Sequence, residues 1–220
     1  MIIGGYMKYK AIIWDLDGTL LNTLEDLMES VNYALSNKNM PNITLEQTRK
    51  YVGNGVARLV SLAAPAGTSD EQVKELLTDF RFYYDRHSKD KTKPYDGILE
   101  LLTDLKAKGY KMSIVSNKIN VAVGQLAEEY FPGLIDVAIG ETDNTPRKPA
   151  PDMIYKAIDK LGVNKQDAVF IGDSEVDVAT GLNAGIDMLT VLWGFRDKDE
   201  LITAGATTFI EKTEDIYKYL

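Results

Sequence analysis

The chain of 220 residues contains no cysteine and a single histidine. Without cysteine there is no disulfide framework, no thiolate metal site and no thiol nucleophile. Its apolar runs are short strand-sized pieces, far below the ~20 residues of a membrane span. The N-terminus lacks a basic region followed by an apolar core of secretory type. The expectation is a cytoplasmic protein that does not engage a membrane. Positive charge is also scarce, with 25 Lys and Arg against 33 Asp and Glu, a net charge of −8. That argues against nucleic acid as a partner. It also means that an anionic substrate must be held by local positive charge, not by the overall field.

What is present is a regular alternation. Residues 10–14 (KAIIW) form a short apolar run ending at Asp15, the type of a buried parallel strand. Residues 23–92 contain no comparable β-branched run and read as helices over 24–35, 44 to about 62, and 70–87. Thr44 with Gln47 forms the pattern of a capping box. From Lys93 onward strands alternate with helices of 10–15 residues: strands at KMSIVSN, DVAIG, AVFIG, MLTVLW and TTFI, a helix through Ile98, Leu101, Leu102 and Leu105 that stops at Gly109, and helices near 119–129, 151–162, 175–184, 198–203 and 213–219. Such alternation implies βαβ units and a doubly wound, Rossmann-like parallel sheet. The organisation is an α/β core over 8–22 and 93–220, a small helical domain at 23–92 inserted after the first strand, and an N-terminal extension at 1–7.

Right-handed crossovers put all the strand C-terminal ends on one edge, where ligands bind in open α/β sheets. The residues expected there are Asp15, Asp17, Gly18 and Thr19 after the first strand, and Ser116, Asn117 and Lys118 after the next. Lys148 lies in the loop before a helix, and Asp173 and Asp177 follow the strand at 168–172. Clustered carboxylates must be neutralised by a proton or a cation. Oxygen ligands without His or Cys favour Mg²⁺, which commonly also binds a substrate phosphate. A Lys and a Ser hydroxyl suit phosphate oxygens, and an Asp can act as a nucleophile. The strand ends therefore point to Mg²⁺-assisted phosphoryl transfer.

DLDGTLLNT at 15–23, SNK at 116–118, the Lys of RKPAPD at 147–152 and GDSEVD at 172–177 resemble, in order, the four motifs of the haloacid dehalogenase superfamily. The resemblance covers nearly the whole chain after Met7. It implies that Asp15 is the nucleophile that forms a phospho-aspartate, and that Asp17 is the general acid and base. Ser116 and Lys148 would hold the phosphoryl oxygens. Asp15, Asp173 and the Asp17 carbonyl would bind Mg²⁺, with Asp177 orienting metal-bound water or Lys148, or binding directly. Gly18, Thr19, Asn117 and Lys118 would lie beside the substrate, although Lys118 equally fits a charge at the rim. Relatives that cleave carbon–halogen or carbon–phosphorus bonds lack an Asp at position 17, so its presence favours phosphate monoesters.

The insert is placed to act as a cap, and Gly53-Asn54-Gly55 with Arg58 is its candidate specificity loop. An interhelix turn with solvated charges reads the same residues as well. VGNGVARLV, KPYDGILELL, SNK and WGFRD resemble the phosphoglycolate phosphatase branch, whose substrate would be 2-phosphoglycolate, a small phosphorylated metabolite. Pyrophosphatases, nucleotidases and broad sugar phosphatases share nearly the same motifs. A β-phosphoglucomutase-type isomerase is disfavoured because those relatives carry a cap His where this chain has Leu27. A catalytically inactive phosphate-binding protein is disfavoured because Asp15, Asp17, Lys148 and Asp173 are all present. Monomer and homodimer read alike.

Overall fold

The run before Asp15 forms β1 (Ala11–Trp14), with all four residues buried. After it come β2 (Leu21–Asn22), α1 (Leu24–Asn37), α2 (Leu45–Tyr51), α3 (Val56–Ala63), α4 (Asp70–His87) and β3 (Lys93–Pro94). The chain continues through α5 (Ile98–Ala107), β4 (Lys111–Ile119), α6 (Asn120–Tyr130), β5 (Val137–Glu141), α7 (Asp152–Leu161) and β6 (Ala168–Gly172). It closes with α8 (Glu175–Ala184), β7 (Asp187–Val191), α9 (Lys198–Thr203), β8 (Phe209–Ile210) and a 3-10 run, Thr213–Lys218, where an α-helix was expected. These elements come from a computed structural model that describes residues 7–220; the extension expected at 1–7 therefore lies outside the described residues except for Met7.

Two units divide the chain, Leu21–Pro94 and the remainder. In the larger unit six parallel strands run in the order β5-β4-β1-β6-β7-β8. The chain builds outward from β1 through β4 to β5, then returns to β6 on the other side of β1. This reversal opens a crevice at the C-terminal edge beside β1, the place where a doubly wound sheet accepts a ligand. Ala11 and Ile13 of β1, Val115 of β4 and Phe170 of β6 pack with Met153, Ile154, Ala157 and Leu161 of α7 in one apolar cluster. Burying each of the larger side chains contributes roughly 1.5–3 kcal/mol, so the sheet that carries the strand-end residues is a stiff platform.

The smaller unit is helical apart from the antiparallel pair β2–β3, in which Leu21 faces Pro94. Leu27, Val31, Ala34 and Leu35 of α1 are buried at helical spacing, as are Leu76, Phe80 and Tyr84 of α4, and these two helices pack together. Thr44 and Gln47 form the expected capping box, and Ser69 with Gln72 forms another. The helix expected from Thr44 to about Leu62 is instead two, α2 and α3. Gly53 and Gly55, at φ 120° and 79°, turn the backbone through the left-handed region between them. Asp26 was not singled out in the sequence. Its buried carboxylate accepts from the backbone N–H of Lys91 at 3.0 Å and of Thr92 at 2.8 Å, tying the end of this unit to its first helix.

Among the described residues no helix is long and apolar enough to cross a membrane.

Candidate active site

Asp15 follows directly on β1, and its backbone N–H donates to Ile171 O of β6 at 2.8 Å. The carboxylate is thereby anchored at the crevice. Across it, Lys148 Nζ donates to Asp15 Oδ1 at 2.6 Å and to Asp177 Oδ1 at 2.7 Å. Both Asp177 and Lys148 are buried. Asp177 is placed by the first turn of α8: Ser174 caps the helix, and Ser174 Oγ donates to Asp177 Oδ2 at 2.6 Å.

Lys148 is held from β4. The Asn117 amide accepts from Lys148 N at 2.7 Å and donates to Lys148 O at 3.0 Å. Asn117, expected beside the substrate, therefore clips the backbone of the residue that pairs with Asp15. The hydroxyl of Ser116 accepts from Lys118 N at 3.2 Å, which leaves its own hydrogen outside that bond. Lys118 turns to Asp17, reaching both carboxylate oxygens at 3.0 and 3.2 Å.

Asp173 has both oxygens occupied. Thr19 Oγ1 donates to Oδ1 at 3.1 Å and Phe195 N to Oδ2 at 2.7 Å. A Cβ on Gly18 would lie 2.3 Å from Asp173 Oδ2, and one on Gly194 would lie 2.3 Å from Asp173 Cβ. The two glycines thus let the backbone close on this carboxylate from both sides. Thr19, expected beside the substrate, orients Asp173 with its hydroxyl. Trp193 Nε1 donates to Thr19 O at 3.0 Å, and Arg196 pairs with Glu175 through two of its nitrogens at 2.6 and 3.2 Å. The loop 193–196 was not assigned a site role from the sequence. Its position immediately after β7, at the strand-end edge, was the available signal.

The electrostatics are those of too many buried carboxylates. Burial and the charge of Asp177 push the Asp15 carboxyl well above its ordinary range, against the opposing pull of Lys148. Burial and Asp177 raise Asp173 to about 7, although the Phe195 N–H and the Thr19 hydroxyl favour its anion. Burial disfavours the Lys148 ammonium, yet Asp15 and Asp177 outweigh it and hold Lys148 above its usual range. One ammonium pairs with two of the three clustered carboxylates. The ligand oxygens of Asp15, Asp173 and Asp177 lie within 4.8 Å of one another. A compact, all-oxygen, electron-rich set of this kind fits a hard divalent cation such as Mg²⁺.

Gly53, Asn54, Gly55 and Arg58 lie in the smaller unit, the first three in the turn after α2 and Arg58 in the first turn of α3. His87 is also there. It stacks on Tyr83 at 4.1 Å and pairs with Asp90 at 2.8 Å.

Comparison with known proteins agrees with this geometry. A family model described as haloacid dehalogenase-like hydrolase matches residues 12–191. A phosphoglycolate phosphatase of Haemophilus influenzae is 32% identical over 197 residues, covering 86% of this chain and 88% of that protein. A phosphoglycolate phosphatase of Aquifex aeolicus is 29% identical over 187 residues, covering 84% and 86%. The solved structure of a protein from Lactobacillus delbrueckii subsp. bulgaricus superposes with a TM-score of 0.92 at 38% identity, covering 96% of this chain and 98% of that one. With a strand-end carboxylate cluster on a sheet of this topology, and a family match across most of its length, the chain belongs to the haloacid dehalogenase-like hydrolases and is a phosphatase.

Proposed function

We propose that the protein is a Mg²⁺-dependent phosphatase that hydrolyses a small phosphate monoester, 2-phosphoglycolate, to glycolate and phosphate through a phospho-aspartate on Asp15. The observation that carries the mechanism is the buried Lys148 ammonium set against Asp15 and Asp177 at the crevice. The substrate is inferred from the relatives, several of which are phosphoglycolate phosphatases.

Asp15, Asp173 and the main-chain carbonyl of Asp17 would hold Mg²⁺, with Asp177 beside them. When bound, the cation supplies positive charge that offsets the aspartates and the phosphoryl oxygens. An oxygen of Asp15 attacks phosphorus in line with the leaving oxygen; the O–P bond to Asp15 forms as the bond to the leaving oxygen breaks. Asp17 gives its proton to that leaving alkoxide. The resulting carboxylate then takes a proton from the water that attacks the phospho-aspartate. The Asp15–phosphorus bond breaks, phosphate departs, and Asp15 and protonated Asp17 are restored. Lys148 donates to the phosphoryl oxygens, and its fixed position means that little reorganisation is needed as charge develops. The Ser116 hydroxyl, with its hydrogen outside the bond from Lys118, supplies a further donor.

The test is phosphate release from 2-phosphoglycolate beside pyrophosphate, a nucleoside monophosphate and several sugar phosphates, with Asp15→Asn protein as blank. The expected result is a kcat/KM for 2-phosphoglycolate at least tenfold above the others, about 1.4 kcal/mol of transition-state discrimination. A flat profile would withdraw the substrate and keep the phosphatase.

A further inference from the structure

Lys118 lies near the crevice, immediately after Ser116 and Asn117 on β4. Its ammonium bonds to both oxygens of Asp17, at 3.0 and 3.2 Å, across 101 residues of sequence. Its side chain is 5% exposed and that of Asp17 17%. The backbone around Lys118 is built for this. β4 runs on past Ser116 to Ile119, and its register with β5 shifts between Val115 and Ile119. Lys118 N is anchored on Ser116 Oγ. On β5, Gly140 packs against the Lys118 carbonyl so closely that a Cβ there would lie 2.5 Å from the oxygen. The Lys118 backbone is thus pinned from two directions, and its long side chain reaches both oxygens of one carboxylate.

We infer that Lys118 is a positioning residue for Asp17: it fixes the carboxylate that moves protons at the leaving oxygen and does not itself read the substrate. This rests on the phosphatase reading above and on the acid–base role proposed there for Asp17. An aspartate side chain, with two rotatable bonds, would otherwise sample several rotamers at the crevice. A displaced proton donor loses most of its effect, since proton transfer requires hydrogen-bond reach. An ammonium within reach of both oxygens restricts where the Asp17 carboxylate can sit.

A merely structural lysine and a substrate-binding lysine make different predictions from this one. Three substrates separate them: p-nitrophenyl phosphate, whose leaving group departs without a proton; glycerol 2-phosphate, whose alkoxide needs one; and 2-phosphoglycolate, which needs one and also carries a carboxylate. The comparison uses kcat/KM, which reports steps through the first irreversible one and so excludes the later hydrolysis of the phospho-aspartate. Lys118→Met is expected to lower kcat/KM about 10- to 100-fold for glycerol 2-phosphate and 2-phosphoglycolate alike, the scale of general acid catalysis. For p-nitrophenyl phosphate the change should stay within about threefold. In an Asp17→Asn background the same substitution should add no further loss. Lys118→Arg, which can also span two carboxylate oxygens, should recover part of the activity.

A loss confined to 2-phosphoglycolate would overturn the inference by making Lys118 a reader of the substrate carboxylate. An equal loss on all three substrates, or no loss on any, would overturn it too. Should Lys118→Met not fold, Gly140→Ala leaves the side chain intact and shifts its backbone. It should reproduce the same dependence on leaving group to a smaller degree, and a uniform effect would count against the inference. A wild-type protein that hydrolyses none of the three would instead refute the phosphatase reading, an outcome distinct from every one above.

Discussion

Lys148 and Asp15 are 133 residues apart in the chain and 2.6 Å apart at the crevice, with both side chains buried. The same ammonium reaches Asp177 at 2.7 Å. A single positive charge therefore bridges the proposed nucleophile and an aspartate in the first turn of α8, and the carboxylates around it outnumber it. The site combines strong local pairing with an excess of negative charge, and its behaviour on mutation follows from which of the two a substitution relieves.

Lys148→Met removes the buried ammonium that pairs with Asp15 and Asp177. It leaves two carboxylates without their partner, and breaking a buried pair in this way costs about 3–5 kcal/mol. The expected outcome is loss of turnover together with a clear drop in Tm of the metal-free protein. A melt unchanged from wild type would show that the pairing does not contribute to stability.

Asp15→Asn acts in the opposite sense. It removes a carboxylate whose charged form burial and Asp177 already disfavour. Turnover should vanish while the metal-free protein melts no lower than wild type. Circular dichroism and thermal melts read the second half of this expectation, phosphate release the first. Substantial residual turnover would remove the covalent mechanism.

Stability should depend on pH through Asp173 and Asp15. Asp173 has its pKa raised from 3.8 to about 7 by burial and by Asp177, and Asp15 is shifted in the same direction. Between these values the folded state binds more protons than the unfolded state. The contribution is therefore full below pH 4 and is lost as pH rises through about 7. The metal-free wild type should lose stability over that window relative to Asp173→Asn, measured side by side in urea. Mg²⁺ should stabilise increasingly as pH rises, because binding displaces those protons. Parallel pH profiles for the two proteins would refute the assignment.

Gly194→Ala tests the clamp on Asp173. Its Cβ would approach that of Asp173 to 2.3 Å, so the carboxylate must move. Mg²⁺ affinity, read by titration calorimetry, should fall about tenfold or more, an effect of the size seen when residues that orient a metal ligand are altered. Unchanged affinity would show that the loop 193–196 does not set the position of Asp173. Activity of the wild type should likewise disappear in EDTA and return with Mg²⁺ but not with Ca²⁺, whose larger and looser coordination suits in-line transfer poorly.

Asp26→Ala leaves the backbone N–H groups of Lys91 and Thr92 without their acceptor inside the smaller unit. The Thr92 N–H is the buried one of the two, and an unsatisfied buried donor costs roughly 1–3 kcal/mol. Limited proteolysis should cut near residues 88–92 faster in the variant, with the larger unit left intact. Equal cleavage rates would show that water replaces the carboxylate without cost.

The alternating strands and helices, the parallel sheet and the placement of Asp15, Asp17, Ser116, Lys148, Asp173 and Asp177 at strand ends or adjoining loops were legible in the sequence. Each rests on a short-range signal: an apolar run of strand length, a helix period, or a polar residue where the run stops. The break between α2 and α3 was harder to read. Residues 44–62 have an almost continuous helical pattern, and the two glycines that interrupt it act through backbone dihedrals, not hydrophobicity. The 3-10 run at Thr213–Lys218 differs from an α-helix in its tighter hydrogen-bond spacing and turn, a difference to which periodicity over six residues is nearly blind.

Side-chain partners were a different matter. Nothing in SNK says that Asn117 clips the Lys148 backbone while Lys118 turns to Asp17. Nothing in WGFRD says that Phe195 N and Trp193 close on Asp173 and Thr19. Those pairings join residues 22 to 174 positions apart. They depend on strand order and on the register of β4 against β1 and β5, which bring distant loops to one edge. Local sequence could say which residues reach the crevice, because strand ends are local features. Which of them touch one another depends on packing, because a side chain's partner is chosen by whatever the assembled sheet sets within 3 Å of it.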